Sequence, residues 1–208
     1  MREFWRDFRQ YFTPVNTVIV VLTIAMYAAQ RTIDLRTGGA FTDALQLEWW
    51  TVMDQREYYR VITCCFLHGS VEHIFNNMLV LLFLGSTIER LVGPIKYLIS
   101  YLGCGTIASF ASVLFSSMNY TGYEYDLIPS IGASGAIFGI YGMLLGIAIM
   151  CRGQVRGMSL QRILIFLALS IYSGLRDIGI DNAAHIGGAV FGVITAFILF
   201  RAEGYDEG

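Results

Sequence analysis

Residues 129–139 read PSIGASGAIFG, with one serine, Ser134, set among glycines and alanines where an apolar run begins. Small residues at four-residue spacing let membrane helices approach closely, and a hydroxyl in the same place can serve as a nucleophile. The surrounding solvent is the first thing to fix. Of 208 residues 55% are hydrophobic and 14% charged, and the mean hydropathy is +0.57, which is far from the balance of a soluble domain. The medium is a lipid bilayer. A formal net charge of -2 says little about partners, because in a membrane protein the location of Lys and Arg matters more than their sum; no nucleic-acid partner is expected. Cys64, Cys65, Cys104 and Cys151 lack metal-ligand spacing and read as free thiols packed as small hydrophobes.

Crossing ~30 Å of hydrocarbon at about 1.5 Å per residue takes roughly 20 apolar residues. Six segments are expected to cross: Tyr11 to Ala29, His73 to Leu91, Ile95 to Met118, Ile131 to Met150, Ile163 to Ile180 and Ala183 to Phe200. The first reads as a retained helix, since no small-x-small cleavage site follows it. Pro14 and Pro94 stand where a first helical turn tolerates proline. Residues 30–72 are too polar to cross and form a long first extramembrane loop, with Trp49, Trp50, Tyr58 and Tyr59 suited to the headgroup level. Arg2, Arg6, Arg9, Arg90, Lys96, Arg152, Arg156, Arg162 and Arg201 collect on one side of this arrangement, which makes that side cytoplasmic. Arg31, Arg36, Arg56, Arg60 and Arg176 fall on the other. The expected organisation is a cytoplasmic segment 1–10, a membrane domain 11–201 and a cytoplasmic tail 202–208.

On that topology His73 and Asn77 begin span two, Ser134 begins span four and His185 begins span six, all entering from the outer side. His73 and Asn77, four residues apart, share a helical face. Ser134 lies beside Gly135, Gly139, Gly142 and Gly146, while His185 shares a face with Gly188 and Gly192. Taken singly, GASGAIFG is a packing motif and HIFNN polar glue, while AHIGG reads equally as an interhelical hydrogen bond or as chemistry. Unpaired imidazole, amide and hydroxyl groups cost several kcal/mol each in hydrocarbon. Their convergence at one depth asks for a common reason.

These residues carry a resemblance to the rhomboid intramembrane serine proteases over nearly the whole chain. REYYR at 56–60, HGSVEHIFNN at 68–77, GSTIERLVG at 85–93, GASGAIFG at 132–139 and AHIGG at 184–188 follow the order of that family's motifs. The resemblance implies an all-α, six-transmembrane-helix bundle. It implies Ser134 as nucleophile, His185 as general base, and His73, Asn77 and the Ser134 N–H as oxyanion donors. Gly132 would keep the turn open, Phe138 would stack on His185, and His68 and Gly188 would support the site. Phe138 stands where many members have tyrosine, and Tyr59 where the family motif has tryptophan.

No aspartate lies within a span, so a dyad is expected, with Asp181 as a solvated loop residue. Glu89 reads as an interfacial charge that anchors a helix contact, and Glu57 and Arg60 as scaffolding for the loop. No cofactor and no metal are expected, since His68, His73 and His185 have no carboxylate or cysteine partner. The partners implied are the bilayer and single-span membrane proteins, cut near their outer boundary after a small residue. By analogy with the family, span five, near Phe166 to Leu175, admits the substrate. The expected location is a multi-pass protein of the plasma membrane with a cytoplasmic N-terminus and an outward-opening site. Two alternatives stand beside the protease: a non-catalytic rhomboid-like binder or chaperone of membrane helices, whose relatives generally lack the serine or histidine, and a six-span transporter, which would distribute polar groups along a path to the cytoplasm.

Overall fold

The computed structural model describes residues 11–123, 128–175 and 179–200. Arg2, Arg6, Arg9, Arg176 and Arg201, and the expected terminal segments 1–10 and 202–208, lie outside the described residues. So do residues 124–126 of the YEYD stretch.

The chain is mostly helical. Helix α1 (Pro14–Thr37) is followed by short helices α2 (Ala40–Leu45), α3 (Trp49–Met53) and α4 (Arg60–Thr63), then a 3-10 turn (Cys64–Phe66). Helix α5 (Val71–Val80) continues through a π-helical turn (Leu81–Gly85) into α6 (Ser86–Val92). Next come α7 (Pro94–Asn119), α8 (Ser134–Met150), a hairpin of β1 (Gln154–Val155) and β2 (Met158–Ser159), α9 (Leu160–Gly174) and α10 (Asn182–Leu199). Among the described residues, four stretches are long and apolar enough to cross a membrane: α1, the continuous Val71–Val92, α7 and α10. Helices α8 and α9 are apolar but shorter, at 17 and 15 residues.

Local chemistry explains most boundaries. Pro14 and Pro94 are the first residues of α1 and α7, where a missing N–H costs nothing. Gly38, in the left-handed conformation at φ 69°, ends α1, as expected of a helix C-terminus. That end lies two turns beyond Ala29. Ser70 caps α5 by accepting from the His73 N–H at 3.0 Å, and Asp181 caps α10 by accepting from Ala184 N–H at 2.9 Å. Asp181 is therefore a half-buried cap and not the solvated loop residue expected. The hairpin at 154–159 departs from the all-helical expectation. Its turn is Arg156-Gly157, both at positive φ, and its Val155 is fully buried against the bundle.

Two features set the depth and spacing of the helices. Glu89 anchors a helix contact, as expected, and does so as a buried group, 3% exposed. Its carboxylate accepts from the N–H of Val15 at 3.0 Å and of Asn16 at 2.7 Å, so α6 caps α1 with negative charge at the positive end of its dipole. Around it, the Asn16 amide donates to Leu81 O and Ser86 Oγ, and Tyr97 donates to Asn16 Oδ1 at 2.6 Å. The second feature is the contact of α8 with α10, which is backbone on backbone. A Cβ on Gly188 would meet the carbonyl of Gly135, one on Gly192 the carbonyl of Gly139, and one on Gly142 the carbonyl of Ala189. No side chain separates the two helices at these points.

Between α1 and α5 the chain folds into a compact appendage. Arg60 is buried, bonded to Glu57 at 2.6 Å and to the carbonyls of Asp43 and Gln46. Leu47 pairs in both directions with Ser130, and the Gly132 N–H donates to Cys64 O at 2.9 Å. The appendage thus grips the segment that leads into α8.

Candidate active site

Ser134 is the first residue of α8 and His185 the fourth of α10. The glycine-lined contact brings their side chains together: His185 Nε2 lies 2.9 Å from Ser134 Oγ, which is hydrogen-bond distance. His185 is 7% exposed and Ser134 half-buried. Phe138, one turn beyond Ser134, lies flat on the imidazole, with centroids 4.0 Å apart and planes 4° from parallel. With one face covered and Nε2 on the hydroxyl, the ring has little freedom to turn.

His73 and Asn77 lie on α5. Gly132 has φ +124°, a conformation that glycine adopts freely, and a Cβ there would sit 2.8 Å from His73 Nε2 and 3.7 Å from Asn77 Nδ2. His73 and Asn77 therefore face the turn two residues ahead of Ser134. Three kinds of donor surround that turn: an imidazole, an amide, and the N–H groups of the first turn of α8, which have no intrahelical acceptor. An anion forming beside Ser134 would meet all three.

His68 is fully buried beneath these groups. Its Nε2 lies 3.0 Å from Asn77 Nδ2, and its ring stands edge-on to His73 at 4.9 Å. Burial pushes its pKa down to about 4, with the nearby His73 contributing in the same direction, so the ring is neutral near pH 7. Gly188 occupies its expected place against α8.

Ser134, His185, Phe138, Gly132, His73, Asn77 and His68 thus converge at one end of the bundle. Gln30, also buried here and bonded to the His68 N–H at 3.1 Å, was not legible in the sequence. It falls just past an apolar run, and only the extension of α1 carries it to the site.

Residues 55–202 match the family model of the Rhomboid domain. The chain belongs to the rhomboid family. Among curated relatives it is 34% identical over 149 residues to Rhomboid protease GluP of Bacillus subtilis (strain 168), covering 72% of this chain and 27% of that protein. It is 35% identical over 150 residues to RHOMBOID-like protein 4 of Arabidopsis thaliana, covering 72% and 36%. RHOMBOID-like protein 1 of the same plant is 31% identical over 232 residues, covering 97% and 57%. This rhomboid therefore spans between about a quarter and three fifths of the length of these three relatives. Its apolar helices and its family make it an integral membrane protein of a group that generally consists of intramembrane serine proteases.

Proposed function

We propose that this rhomboid is an intramembrane serine endopeptidase that hydrolyses peptide bonds in or near the transmembrane segments of single-span membrane proteins. The observation that supports this reading is the 2.9 Å contact of Ser134 Oγ with His185 Nε2, since a serine hydroxyl needs a neighbouring base to become nucleophilic.

In this reading Ser134 Oγ attacks the scissile carbonyl while His185 Nε2 takes its proton. The C–O bond formed places negative charge on the carbonyl oxygen, which His73, Asn77 and the Ser134 N–H stabilise. Collapse of this intermediate breaks the C–N bond, and the imidazolium returns the proton to the departing amine. Water, deprotonated by His185 Nε2, then attacks the acyl ester; the bond from the acyl carbon to Ser134 Oγ breaks, and the imidazolium returns its proton to Ser134 Oγ. No metal or other cofactor enters these steps.

The proposed fold is a six-span bundle over 11–201 in which α8 and α9 cross as the two shortest members. We place the N-terminus in the cytoplasm and the site toward the outer face of the plasma membrane. A substrate helix hides its peptide bonds in internal hydrogen bonds, so helix-weakening residues near its outer end should favour cleavage. Helix α9, which buries only Ile163, Leu167 and Gly174, is the proposed side of entry, by family analogy.

The direct experiment is cleavage of a single-span reporter in liposomes by the native chain and by Ser134→Ala and His185→Ala. The native chain should cut while both variants are silent, and a fluorophosphonate should label the native protein but not Ser134→Ala. Equal cleavage by all three would reject the dyad. A non-catalytic helix binder, the alternative reading, would retain the reporter uncut and leave the probe unreacted.

A further inference from the structure

A line of hydrogen bonds joins α1 to the proposed oxyanion site. The carboxylate of Asp34 is held by the N–H groups of Phe41 and Thr42, each at 3.1 Å. A carboxylate near neutral pH only accepts, so the Thr42 hydroxyl gives its hydrogen to Asp34 Oδ2. The Thr42 oxygen then accepts from Gln30 Nε2 at 2.8 Å. This leaves Gln30 Oε1 to accept from the His68 N–H at 3.1 Å, and a backbone N–H demands an oxygen there too. Both ends of the line thus fix the Gln30 amide the same way round.

From His68 the line passes to Asn77, whose Nδ2 lies 3.0 Å from His68 Nε2. An amide nitrogen only donates, so Nε2 accepts and the ring carries its proton on Nδ1. One Nδ2 hydrogen of Asn77 is committed to His68, and the other is left for the space beside Gly132. Gln30 is 4% exposed and His68 fully buried, so water does not compete for these bonds. Gln30, Asp34 and Thr42 all precede residue 55, where the family match begins.

We propose that Gln30 is a positioning residue: by fixing His68 it aims the Asn77 amide at the anion formed during peptide hydrolysis. This rests on the protease reading above, and acts on the transition state through Asn77 alone. The test is a double-mutant cycle on the full chain in liposomes, with a designed single-span reporter rich in alanine and glycine near its outer end. Asn77→Ala should lower kcat about a hundredfold. Gln30→Met, of similar volume, should lower kcat about tenfold with KM unchanged.

In the Asn77→Ala background the same Gln30 change should cost less than about twofold. A loss from Gln30→Met that is equal in both backgrounds, or no loss at all, would overturn the inference, because a general loosening of the fold does not require Asn77. Should Gln30→Met fail to fold, Thr42→Val, one bond further away, takes its place in the cycle under the same criteria. An Asn77→Ala protein as fast as the native chain would instead sink the oxyanion assignment, and this inference with it.

Discussion

Gly192→Ala tests whether backbone contact between α8 and α10 sets the distance between Ser134 and His185. The added methyl would fall on the carbonyl of Gly139, well inside van der Waals contact, so the helices must part locally by about 1 Å or more. Ser134 Oγ and His185 Nε2 start 2.9 Å apart, so the same separation would take them to ~4 Å, beyond hydrogen-bond reach. Overpacking of this kind costs about 1–3 kcal/mol of stability, and an ångström of misplacement costs about a hundredfold in rate. Cleavage of the single-span reporter in liposomes, with the fraction folded measured on the same preparation, gives the rate per folded molecule. Gly69→Ala is the control, since a Cβ there meets only Ile131 at 3.7 Å, and it should cut at the native rate. A Gly192→Ala protein with native rate and native Tm would refute the reasoning, for the contact would then be slack.

Phe138→Ala removes the ring stacked on His185 and should lower kcat about tenfold with little change in KM, whereas Phe138→Tyr keeps the stack and should stay within about threefold of native; steady-state kinetics on the reporter decide both. Glu89→Ala deletes two charge-assisted bonds to the start of α1 and should cost about 3 kcal/mol, seen as a lower Tm in detergent with the rate per folded molecule unchanged. The pKa of His68 is held down by burial to about 4, so between about 6.5 and 4 the unfolded chain binds the proton and the folded chain does not. The stability due to neutral His68 is full above the unfolded value and is lost as pH falls through that window. Melting from pH 7 to 4 should show this decline for the native chain and less of it for His68→Leu, and an unchanged pH slope would contradict it.

How far the sequence disclosed this molecule depended on whether the informative signal was local. Four of the six expected spans are matched by helices long and apolar enough to cross, because apolar length is a local property. Ser134, His185, His73 and Asn77 appeared because hydrogen-bonding groups are costly in apolar runs and because their order resembles one family. The stacking of Phe138 followed from its one-turn offset from Ser134. Glu89 anchors a helix contact as expected, but its partners were not legible, because the N–H groups of Val15 and Asn16 lie more than 70 residues away and backbone donors leave no mark in a sequence. Asp181 reads as a loop residue unless the start of the next helix is fixed at Asn182. Gln30 was missed because a polar residue after an apolar run ordinarily marks the water boundary, and only three-dimensional contact with His68 distinguishes it. The hairpin at 154–159 was obscured by its brevity and by an arginine at a positive-φ turn position that more often holds asparagine or glycine.

The union of Glu89 with the start of α1 has a consequence for how the molecule is made. Synthesis proceeds from the amino end, so the first helix enters the bilayer with the N–H groups of Val15 and Asn16 still waiting for a carboxylate encoded more than 70 residues downstream. Its final seat is fixed only after residue 89 has left the ribosome. The seat of α1 is therefore set by a helix that follows it in the chain, while α7, α8, α9 and α10 are still to be made.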